Sequence, residues 1–394
     1  MRNTVRAAAL LGTALLLGGP AAPASALPAT TAAASASAPA PALDPAVRAA
    51  LAGALTGLPT ADTTAALVRV GGTAGTWRAG AGLHDLVSGR PADPAGRFRA
   101  GSVTKVFTAA VALQLAAEGR LDLDRTARSY LPDLIPAGYA RVTVRQLLNH
   151  TSGIPAPDLP GATVEEAYAN RFLRHRPEDM VRSATSKDPE FAPGTRQHYL
   201  NIGYTVTGLL IERVTGDSYE DQVTRRVLAP LGLRDTRLPG ADPRIRGPHN
   251  HGYQTMTLDD GTTGPRDVTV WGATDAWAAG DLISSTADLE RFTTALFAGQ
   301  VVRGPLLAEM FTLPDVVDHE TGDPAAYSAG LSMKKLGGRE VWGKTGGRWG
   351  YNTAIASTRD GSRTLVYSVN STDAKGEGMN EVAQRLMVAA YGRP

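Results

Sequence analysis

The chain has 394 residues, no cysteine and a formal net charge of +2. The lack of cysteine excludes disulfides, thiol catalysis and the lipid-modified cysteine of a bacterial lipoprotein. A net charge so close to zero excludes the extended basic surface of a nucleic-acid-binding or membrane-surface protein. A chain of this length can bury a large core without cross-links, in one large domain or in two lobes.

The N-terminal segment has the three parts of a secretory signal peptide. Two arginines precede an apolar run, and Ala24-Ser25-Ala26 provides a cleavage site of small residues. We therefore predict a signal peptide over residues 1–26, a secreted mature protein and no stable membrane anchor. Residues 27–43 are mainly Ala, Pro, Ser and Thr, which predicts a flexible leader before a domain over residues 44–394.

Strand signals lie near both ends of this domain, and helix signals fill its middle. Asp44-Pro45 predicts the start of a helix because aspartate is a good N-cap and proline suits the first helical turn. The stretch from Val103 to Leu115 is apolar almost all round, which predicts a buried helix. The sequence further predicts strands over 65–70, 76–79, 331–336, 340–346, 351–357 and 364–369, and helices over 142–148, 164–172, 204–214 and 380–391.

This order of elements predicts an α/β (α+β) fold. One lobe would combine residues 44–120 and 253–394, with a sheet formed from the two ends of the chain and flanked by helices. Residues 121–252 would form a helical lobe inserted into it. Ligand sites commonly lie in the cleft between two such lobes.

A serine and a lysine stand three residues apart at the start of the buried helix. Ser102 and Lys105 would share one face of that helix, which brings the lysine amine within reach of the serine hydroxyl. Burial lowers the pKa of a lysine, so the amine could accept a proton from an otherwise inert serine. The alternative is that Ser102 only caps the helix. That alternative leaves the cost of burying Lys105 unexplained.

Two similar patterns elsewhere predict no chemistry. Ser332 and Lys335 repeat the same spacing, but in a predicted strand, where residues three apart point to opposite faces. The segment from Gly338 to Thr345 matches the phosphate-loop pattern, but the glycines after it cannot begin the helix that a phosphate loop requires. We therefore interpret Lys344-Thr345-Gly346 as part of a strand.

Three motifs occur in a fixed order, namely Ser102-x-x-Lys105, Tyr199-Leu200-Asn201 and Lys344-Thr345-Gly346. With these motifs the chain resembles the beta-lactamase-related family of serine hydrolases. That family includes class C beta-lactamases, secreted D-alanyl-D-alanine carboxypeptidases of the low-molecular-mass penicillin-binding type, and related esterases. The resemblance extends over roughly residues 45–394. It implies an antiparallel sheet flanked by helices, with an inserted all-helical lobe.

The resemblance implies a role for the catalytic residues of the three motifs. Ser102 would be the nucleophile. Tyr199 would act as its base, because the positive charges of Lys105 and Lys344 favour the phenolate over the phenol. Asn201 would hold Lys105 and the substrate amide through its carbonyl and amino groups.

The resemblance also implies how a substrate would lie in the cleft. The strand that carries Thr345 and Gly346 would bind an extended acyl chain through its backbone groups. The two N–H donors of an oxyanion hole would belong to Ser102 and to a residue near Trp349. Trp277 would form an aromatic wall of the cleft, although a position in the core suits it nearly as well.

One position departs from the pattern of the family. Gly347 follows the Lys-Thr-Gly motif, where enzymes that bind a terminal carboxylate commonly carry a hydroxyl residue. Carboxylate recognition would then depend on Thr345 and Arg348.

The sequence therefore predicts a secreted, penicillin-binding D-alanyl-D-alanine carboxypeptidase that forms an acyl-enzyme on Ser102. Its substrate would be a peptidoglycan stem peptide or another small acyl compound, with beta-lactams as inhibitors or substrates and no nucleic acid partner. The alternatives are a class C-like beta-lactamase, an esterase, which Gly347 favours, and a non-catalytic penicillin sensor, which need not keep a nucleophile. His249 and His251 lack further ligands at metal spacing, so we predict no metal and no cofactor.

Overall fold

The computed structural model describes residues 41–376 and 378–392, which form one compact unit. The predicted signal peptide and all but the end of the predicted leader lie outside the described residues. Within the described residues, no helix is long and apolar enough to cross a membrane. The lobe boundaries predicted at residues 120 and 252 stay predictions, since one hydrophobic core includes residues from both regions.

Helices and strands follow the predicted order along the chain. The strands are β1 (Thr63–Gly71), β2 (Trp77–Gly82), β3 (Phe98–Arg99), β4 (Arg196–Gln197), β5 (Tyr253–Thr257), β6 (Thr263–Asp267), β7 (Ile283–Ser284), β8 (Val317–Asp318), β9 (Ser332–Leu336), β10 (Arg339–Arg348), β11 (Tyr351–Thr358) and β12 (Thr364–Ser371). The helices are α1 (Pro45–Ala54), α2 (Thr104–Ala117), α3 (Ala127–Tyr130), α4 (Val144–Leu148), α5 (Val164–Ala169), α6 (Pro177–Thr185), α7 (Ile202–Thr215), α8 (Tyr219–Val223), α9 (Ala229–Leu231), α10 (Thr286–Phe297), α11 (Pro305–Ala308) and α12 (Glu381–Tyr391).

A six-stranded antiparallel sheet joins the two ends of the chain in the order β2-β1-β12-β11-β10-β9. The N-terminal strand β1 pairs with the C-terminal strand β12, with Ala66 opposite Val369. Nearly every residue of β1, β11 and β12 is buried, because helices cover both faces of the sheet. The antiparallel sheet built from both chain ends is therefore confirmed.

The two faces of the sheet carry different helices. Helices α1 and α12 cover one face, where Val382, Leu386 and Ala390 of α12 are buried at the predicted helical spacing. Helices α2 and α10 lie on the other face, and their rings Phe107 and Phe292 stack with centroids 3.7 Å apart. Helix α2, which carries Ser102 at its head, is thus held inside the main core.

Helix α7 organises the predicted helical lobe. It has 14 residues, packs against α2, α4 and α6, and ends at Gly216 in the left-handed conformation. Its first turn follows directly on Tyr199 and Asn201. Because α7 is buried along most of its length, these two side chains are fixed beside the head of α2.

Three differences between the structure and the predicted elements have an identifiable structural cause. Helix α4 begins at Val144 rather than at 142 because Thr143 and Gln146 form a capping box. Helix α5 ends at Ala169 rather than at 172, since the Arg171 carbonyl turns away to accept a hydrogen bond from the Gly272 N–H. The predicted helical lobe is not entirely helical, because its strand β4 pairs in parallel with β8.

Candidate active site

Ser102 lies in a single 3-10 turn, Gly101–Val103, that leads directly into α2. Gly101 adopts a φ of +52°, and a Cβ there would lie 2.8 Å from the Gly347 nitrogen. Only glycine fits a backbone position that is both left-handed and this close to another strand. The turn therefore exposes Ser102 partly to the cleft while the next residues enter the core.

Lys105 is completely buried beneath Ser102. Its ammonium donates hydrogen bonds to Ser102 Oγ at 3.1 Å, to Asn201 Oδ1 at 2.7 Å and to the Ala279 carbonyl at 2.8 Å. Burial lowers the pKa of Lys105 to about 8, with Tyr199 opposing this shift and Lys344 adding to it. A lysine so close to neutrality can exchange a proton with the serine that it contacts.

Tyr199 lies between two lysines. Its ring centroid is 5.1 Å from Lys105 Nζ and 4.6 Å from Lys344 Nζ. The hydroxyl is buried and has no hydrogen-bond partner among the described residues. Such a group is rare in a core and common where a substrate completes the site. The phenol is therefore positioned to exchange a proton in the cleft.

Lys344 is carried by β10 and is only 5% exposed. Burial lowers its pKa to about 7, and it donates a hydrogen bond of 2.8 Å to the Thr345 carbonyl. Strand β9 pairs with β10 only as far as Gly343. The edge of β10 from Lys344 to Arg348 is thus left open toward the cleft.

Two glycines let β10 approach the nucleophile closely. A Cβ on Gly346 would lie 2.0 Å from the Ala100 carbonyl oxygen and 3.0 Å from the Ser102 nitrogen. The Gly347 nitrogen lies against Gly101, as described above. The backbone nitrogens of Ser102 and Gly347 are therefore the pair that geometry offers for an oxyanion hole.

A cavity of about 460 Å³ extends along the open edge of β10. Tyr327, Lys344, Gly346 and Gly347 line one end, and the exposed Thr345 lies between them. The lining of the other end is mostly apolar, from Met333, Val341, Tyr367 and Met387. Among the described residues, its lining includes neither Ser102 nor Tyr199, so the cavity adjoins the nucleophile side of β10 only through Lys344, Gly346 and Gly347.

The comparisons with known proteins agree with this geometry. A family model described as Beta-lactamase matches residues 28–388. The chain belongs to the beta-lactamase family.

Curated relatives match between about half and two thirds of this beta-lactamase-family protein. It is 29% identical over 217 residues to Protein flp of Staphylococcus aureus, which is 54% of this chain and 41% of that protein. It is 29% identical over 265 residues to penicillin-binding protein 4 of Amycolatopsis lactamdurans, which is 66% of this chain and 62% of that protein. The chain thus spans less than two thirds of the length of these relatives.

Among solved structures, the D-stereospecific amidohydrolase from a Streptomyces species superimposes with a TM-score of 0.75 at 32% identity. The match covers 87% of this chain and 98% of that chain. This coverage includes both the sheet and the predicted helical lobe. The predicted fold class and the resemblance to the beta-lactamase-related serine hydrolases are confirmed.

The structure brings together Ser102, Lys105, Tyr199, Asn201 and Lys344, the five residues predicted to be catalytic. One prediction needs correction, namely the oxyanion-hole donor expected near Trp349. Trp349 lies beyond the open edge and stacks on Trp271 with centroids 4.7 Å apart. The correction follows from the closeness of β10 to Gly101, which brings Gly347 rather than Trp349 against the nucleophile turn.

Trp277 is not a wall of the cleft. Its ring is buried in the main core against Tyr219, and its Nε1 donates to Glu220 Oε1 at 2.9 Å. The segment that carries Trp277 matters for the site through its backbone, because the Ala279 carbonyl accepts a hydrogen bond from Lys105. The core position weighed as the alternative is therefore correct.

Arg348 is not free to bind a substrate carboxylate. It is 4% exposed, and both terminal nitrogens bind Asp275, one of them at 2.8 Å. It also donates to the Gly272 carbonyl at 2.8 Å. This pairing is forced by burial, since an unpaired guanidinium would be too costly there. Among the predicted carboxylate-binding groups, only Thr345 remains exposed.

Three neighbours of the site were not predicted to take part in it. His150 and Tyr327 pack on Tyr199, with centroids 4.5 Å and 4.6 Å away. Burial, and then the charges of Lys105 and Lys344, hold the pKa of His150 well below its usual value. Asp275 neutralises Arg348. Sequence offers no signal for these contacts, because each one joins segments that are distant in the chain.

The patterns set aside in the sequence have ordinary structural roles. Ser332 donates to the Gly343 carbonyl on β10. No group of three or more potential metal ligands occurs within the described part of the chain. His251 is paired with Asp267 at 2.6 Å, and His249 with the Gly247 carbonyl at 2.7 Å.

Proposed function

We propose that this protein is a serine hydrolase that cleaves acyl bonds through a covalent acyl-enzyme on Ser102. The 3.1 Å hydrogen bond between Lys105 and Ser102 carries this proposal. It pairs a partly exposed hydroxyl with a buried amine whose pKa is lowered to about 8. A helix cap alone would not need the amine, whereas nucleophilic catalysis needs an adjacent proton acceptor.

The reaction can be written in two balanced steps. Ser102 Oγ attacks the carbonyl carbon as its proton passes to the Tyr199 and Lys105 pair, and the N–H groups of Ser102 and Gly347 bind the oxyanion. The leaving group takes that proton as its bond to the carbonyl carbon breaks. Water then attacks the Ser102 ester, gives one proton to the same pair, and the serine recovers it as the acid leaves.

We propose amides and peptides that contain D-amino acids as the substrate class, with a D-alanyl-D-alanine peptide as the first candidate. The similarity to a D-stereospecific amidohydrolase, over nearly all of its chain, supports the D configuration. The similarity to a penicillin-binding protein supports beta-lactams as acylating ligands. An esterase stays the second candidate, because Gly347 adds no hydroxyl and Arg348 is bound to Asp275.

A mass-resolved time course tests the proposal. The purified protein is mixed with benzylpenicillin, a D-Ala-D-Ala peptide, D- and L-phenylalanine amide and a short-chain ester, and the covalent adduct and product are followed. We expect an adduct on Ser102, hydrolysis of D-amides in preference to L-amides, and no adduct on the Ser102→Ala variant. The matched control is Ser332→Ala, which removes the serine of the second Ser-x-x-Lys pattern. An adduct that persists in Ser102→Ala but disappears in Ser332→Ala would overturn the assignment.

We also propose that the protein is exported and cleaved near Ala26. The charged start, apolar run and small residues of the first 26 positions support this. N-terminal sequencing of protein recovered from the medium of the producing cell tests it. An intact N-terminus on cell-retained protein would contradict it.

A further inference from the structure

The cavity beside β10 lies mainly on the face of the sheet that turns away from Ser102. Thr345, Ala354 and Tyr367 stand opposite one another on β10, β11 and β12, so their side chains share one face. Ala354 and Tyr367 belong to the hydrophobic cluster that packs under α12. Lys344, next to Thr345 in β10, points to the opposite face, as alternate residues of a strand do. A molecule in this cavity would therefore have β10 between itself and Ser102.

Short side chains create this cavity. Gly343, Ala354 and Ala356 line it on the sheet, and Ala383 lines it on α12. Protein interiors are close-packed, and voids much larger than a water molecule are uncommon in them. A dry apolar cavity of about 150 Å³ can bind benzene. At about 460 Å³, the cavity beside β10 has room for a molecule of two or three rings.

The cavity opens to solvent beside β9 and at the start of α12. Its exposed lining residues include Lys334, Thr345 and Met379. Among the described lining residues, Lys334 and Lys344 carry a charge, and neither charge lies inside the cavity. Lys334 is at the mouth, and the Lys344 ammonium is on the other face of β10, near the Tyr199 ring. The interior favours a neutral occupant, because a charged one would lose its hydration there.

A buried hydroxyl, that of Tyr367, belongs to the lining. Tyr367 is 2% exposed. Its hydroxyl has no hydrogen-bond partner among the described residues, and burial raises its pKa well above the usual value, so it stays a neutral donor. Buried hydroxyls are nearly always paired, so an unpaired one in a cavity wall points to a group that completes it. The amide of Asn380, by contrast, serves the fold, since it donates to Thr63 Oγ1 at 2.9 Å and caps α12.

We propose that this cavity is a second ligand-binding site, which takes a neutral molecule with an apolar body of two or three rings and one oxygen that accepts a hydrogen bond from Tyr367. This inference goes beyond the proposed function, because the bound molecule would not be the substrate. The described lining includes neither Ser102 nor Tyr199. The molecule would still influence the reaction, since the lining includes Gly347, whose N–H is offered to the oxyanion. It would thus act as an effector of turnover.

Binding of 2-naphthol, a two-ring probe with one hydroxyl, tests the site. The fluorescence of the probe is followed as the purified protein is added, and the dissociation constant is measured for the wild type and for variants. We expect one saturable site in the wild type. Tyr367→Phe should weaken binding about three- to tenfold, the effect of one hydrogen bond between neutral groups. Ala383→Leu, which extends into the cavity, should weaken it at least about tenfold.

The matched control is Ala389→Leu, which adds the same atoms to α12 but borders the groove toward α1. We expect it to keep the wild-type dissociation constant. Met387→Trp narrows the cavity from a partly exposed position, and it replaces Ala383→Leu if that variant does not fold.

Two further measurements separate the cavity from the substrate cleft. Protein acylated on Ser102 by benzylpenicillin should bind 2-naphthol as tightly as the free protein does. Saturating 2-naphthol should change kcat for a short-chain ester at least about twofold, without raising KM as a competitor would.

The inference is wrong if 2-naphthol does not bind the wild type, or if Tyr367→Phe and the cavity-filling variants bind it as tightly as the wild type. Loss of binding on acylation of Ser102 would also refute it, because the probe would then occupy the substrate cleft. An unchanged kcat at saturating 2-naphthol would refute the effector role. Binding is measured without turnover, so these outcomes leave the proposed function intact. If no adduct forms on Ser102 and no amide or ester is turned over, the proposed function fails while the binding result stands.

Discussion

Asn201 Oδ1 accepts a hydrogen bond of 2.7 Å from the ammonium of Lys105. Asn201 immediately precedes α7 and Lys105 lies in α2, so the contact joins the predicted helical lobe to the nucleophile helix. A neutral amide there holds the lysine in place while adding no charge that would keep it protonated. The pKa of Lys105 can therefore stay near 8.

Replacing this amide by a carboxylate should move the pH profile. In Asn201→Asp a negative charge would lie against the Lys105 ammonium and raise the pKa of Lys105. Two unit charges 4 Å apart at an effective dielectric of 20 interact by about 4 kcal/mol, or about three pKa units, and the exposed cleft weakens this. We expect the rising limb of kcat/KM, near pH 8 in the wild type, to shift upward by at least about one unit. Asn201→Ala, the control, should shift it downward, and equal shifts in both variants would refute the role of Lys105.

Tyr199 should matter for turnover and not for stability. Its hydroxyl has no hydrogen-bond partner among the described residues, so Tyr199→Phe removes no contact from the fold. We expect turnover to fall by about 10² to 10⁴, the usual range for loss of an acid-base group, with an unchanged melting temperature. Tyr327→Phe is the matched control, because Tyr327 packs on the same ring without lying between the two lysines. Near-normal turnover in Tyr199→Phe would exclude it as the base.

The site residues that could be predicted from sequence are those whose partners lie within a few positions in the chain. Ser102 and Lys105 are one helical turn apart, and the helix alone brings them together. The partners of Trp277 and Arg348 could not be predicted, because Glu220 and Asp275 lie 57 and 73 residues away in the chain. A tryptophan or arginine near a motif can face the cleft or the core, and only long-range packing decides between them.

In the fold, too, features set by the local sequence could be predicted, and features set by long-range contacts could not. Alternating and continuous apolar runs predict the strands, and the pairing of both chain ends follows from where those runs lie. Helix ends depend on single caps, so α4 began two residues later than expected, at the Thr143 cap. The close approach of β10 to the nucleophile turn depends on Gly346 and Gly347, and glycines alone do not reveal which backbone they approach.

Gly347 should tolerate no side chain. From sequence alone, Gly347→Thr would supply the missing hydroxyl and improve carboxylate recognition. The structure reverses that expectation, because a Cβ there would lie 2.8 Å from the Ala374 carbonyl oxygen. We expect Gly347→Ala and Gly347→Thr to displace the segment that carries Ala374 and to lower kcat/KM at least about tenfold for acid, amide and ester alike. Gly138→Ala, where no atom lies within 4 Å of the new Cβ, is the control. A selective gain for the free acid in Gly347→Thr would show that the segment can move aside.

The burial of Lys344 should lower the free energy of unfolding at neutral and acidic pH. Burial lowers its pKa to about 7 in the folded protein, against about 10.4 in an unfolded chain. Between these values the unfolded chain binds more protons, so the free energy of unfolding rises with pH across that window. Below pH 7 the lysine is charged in both states, and the full penalty of burying the charge is present.

Lys344→Met should remove that penalty together with the activity. We expect the variant to be more stable than the wild type by roughly 2 to 4 kcal/mol at pH 6, with the advantage fading toward pH 10. Its turnover should be lost, since Tyr199 keeps only one of its two lysines. Urea unfolding at pH 6, 8 and 9.5 measures the difference, with Lys335→Met on the exposed face of β9 as the control. A wild type that is more stable than Lys344→Met at pH 6, or a difference that does not change with pH, would mean that Lys344 gains enough from its surroundings to offset its burial.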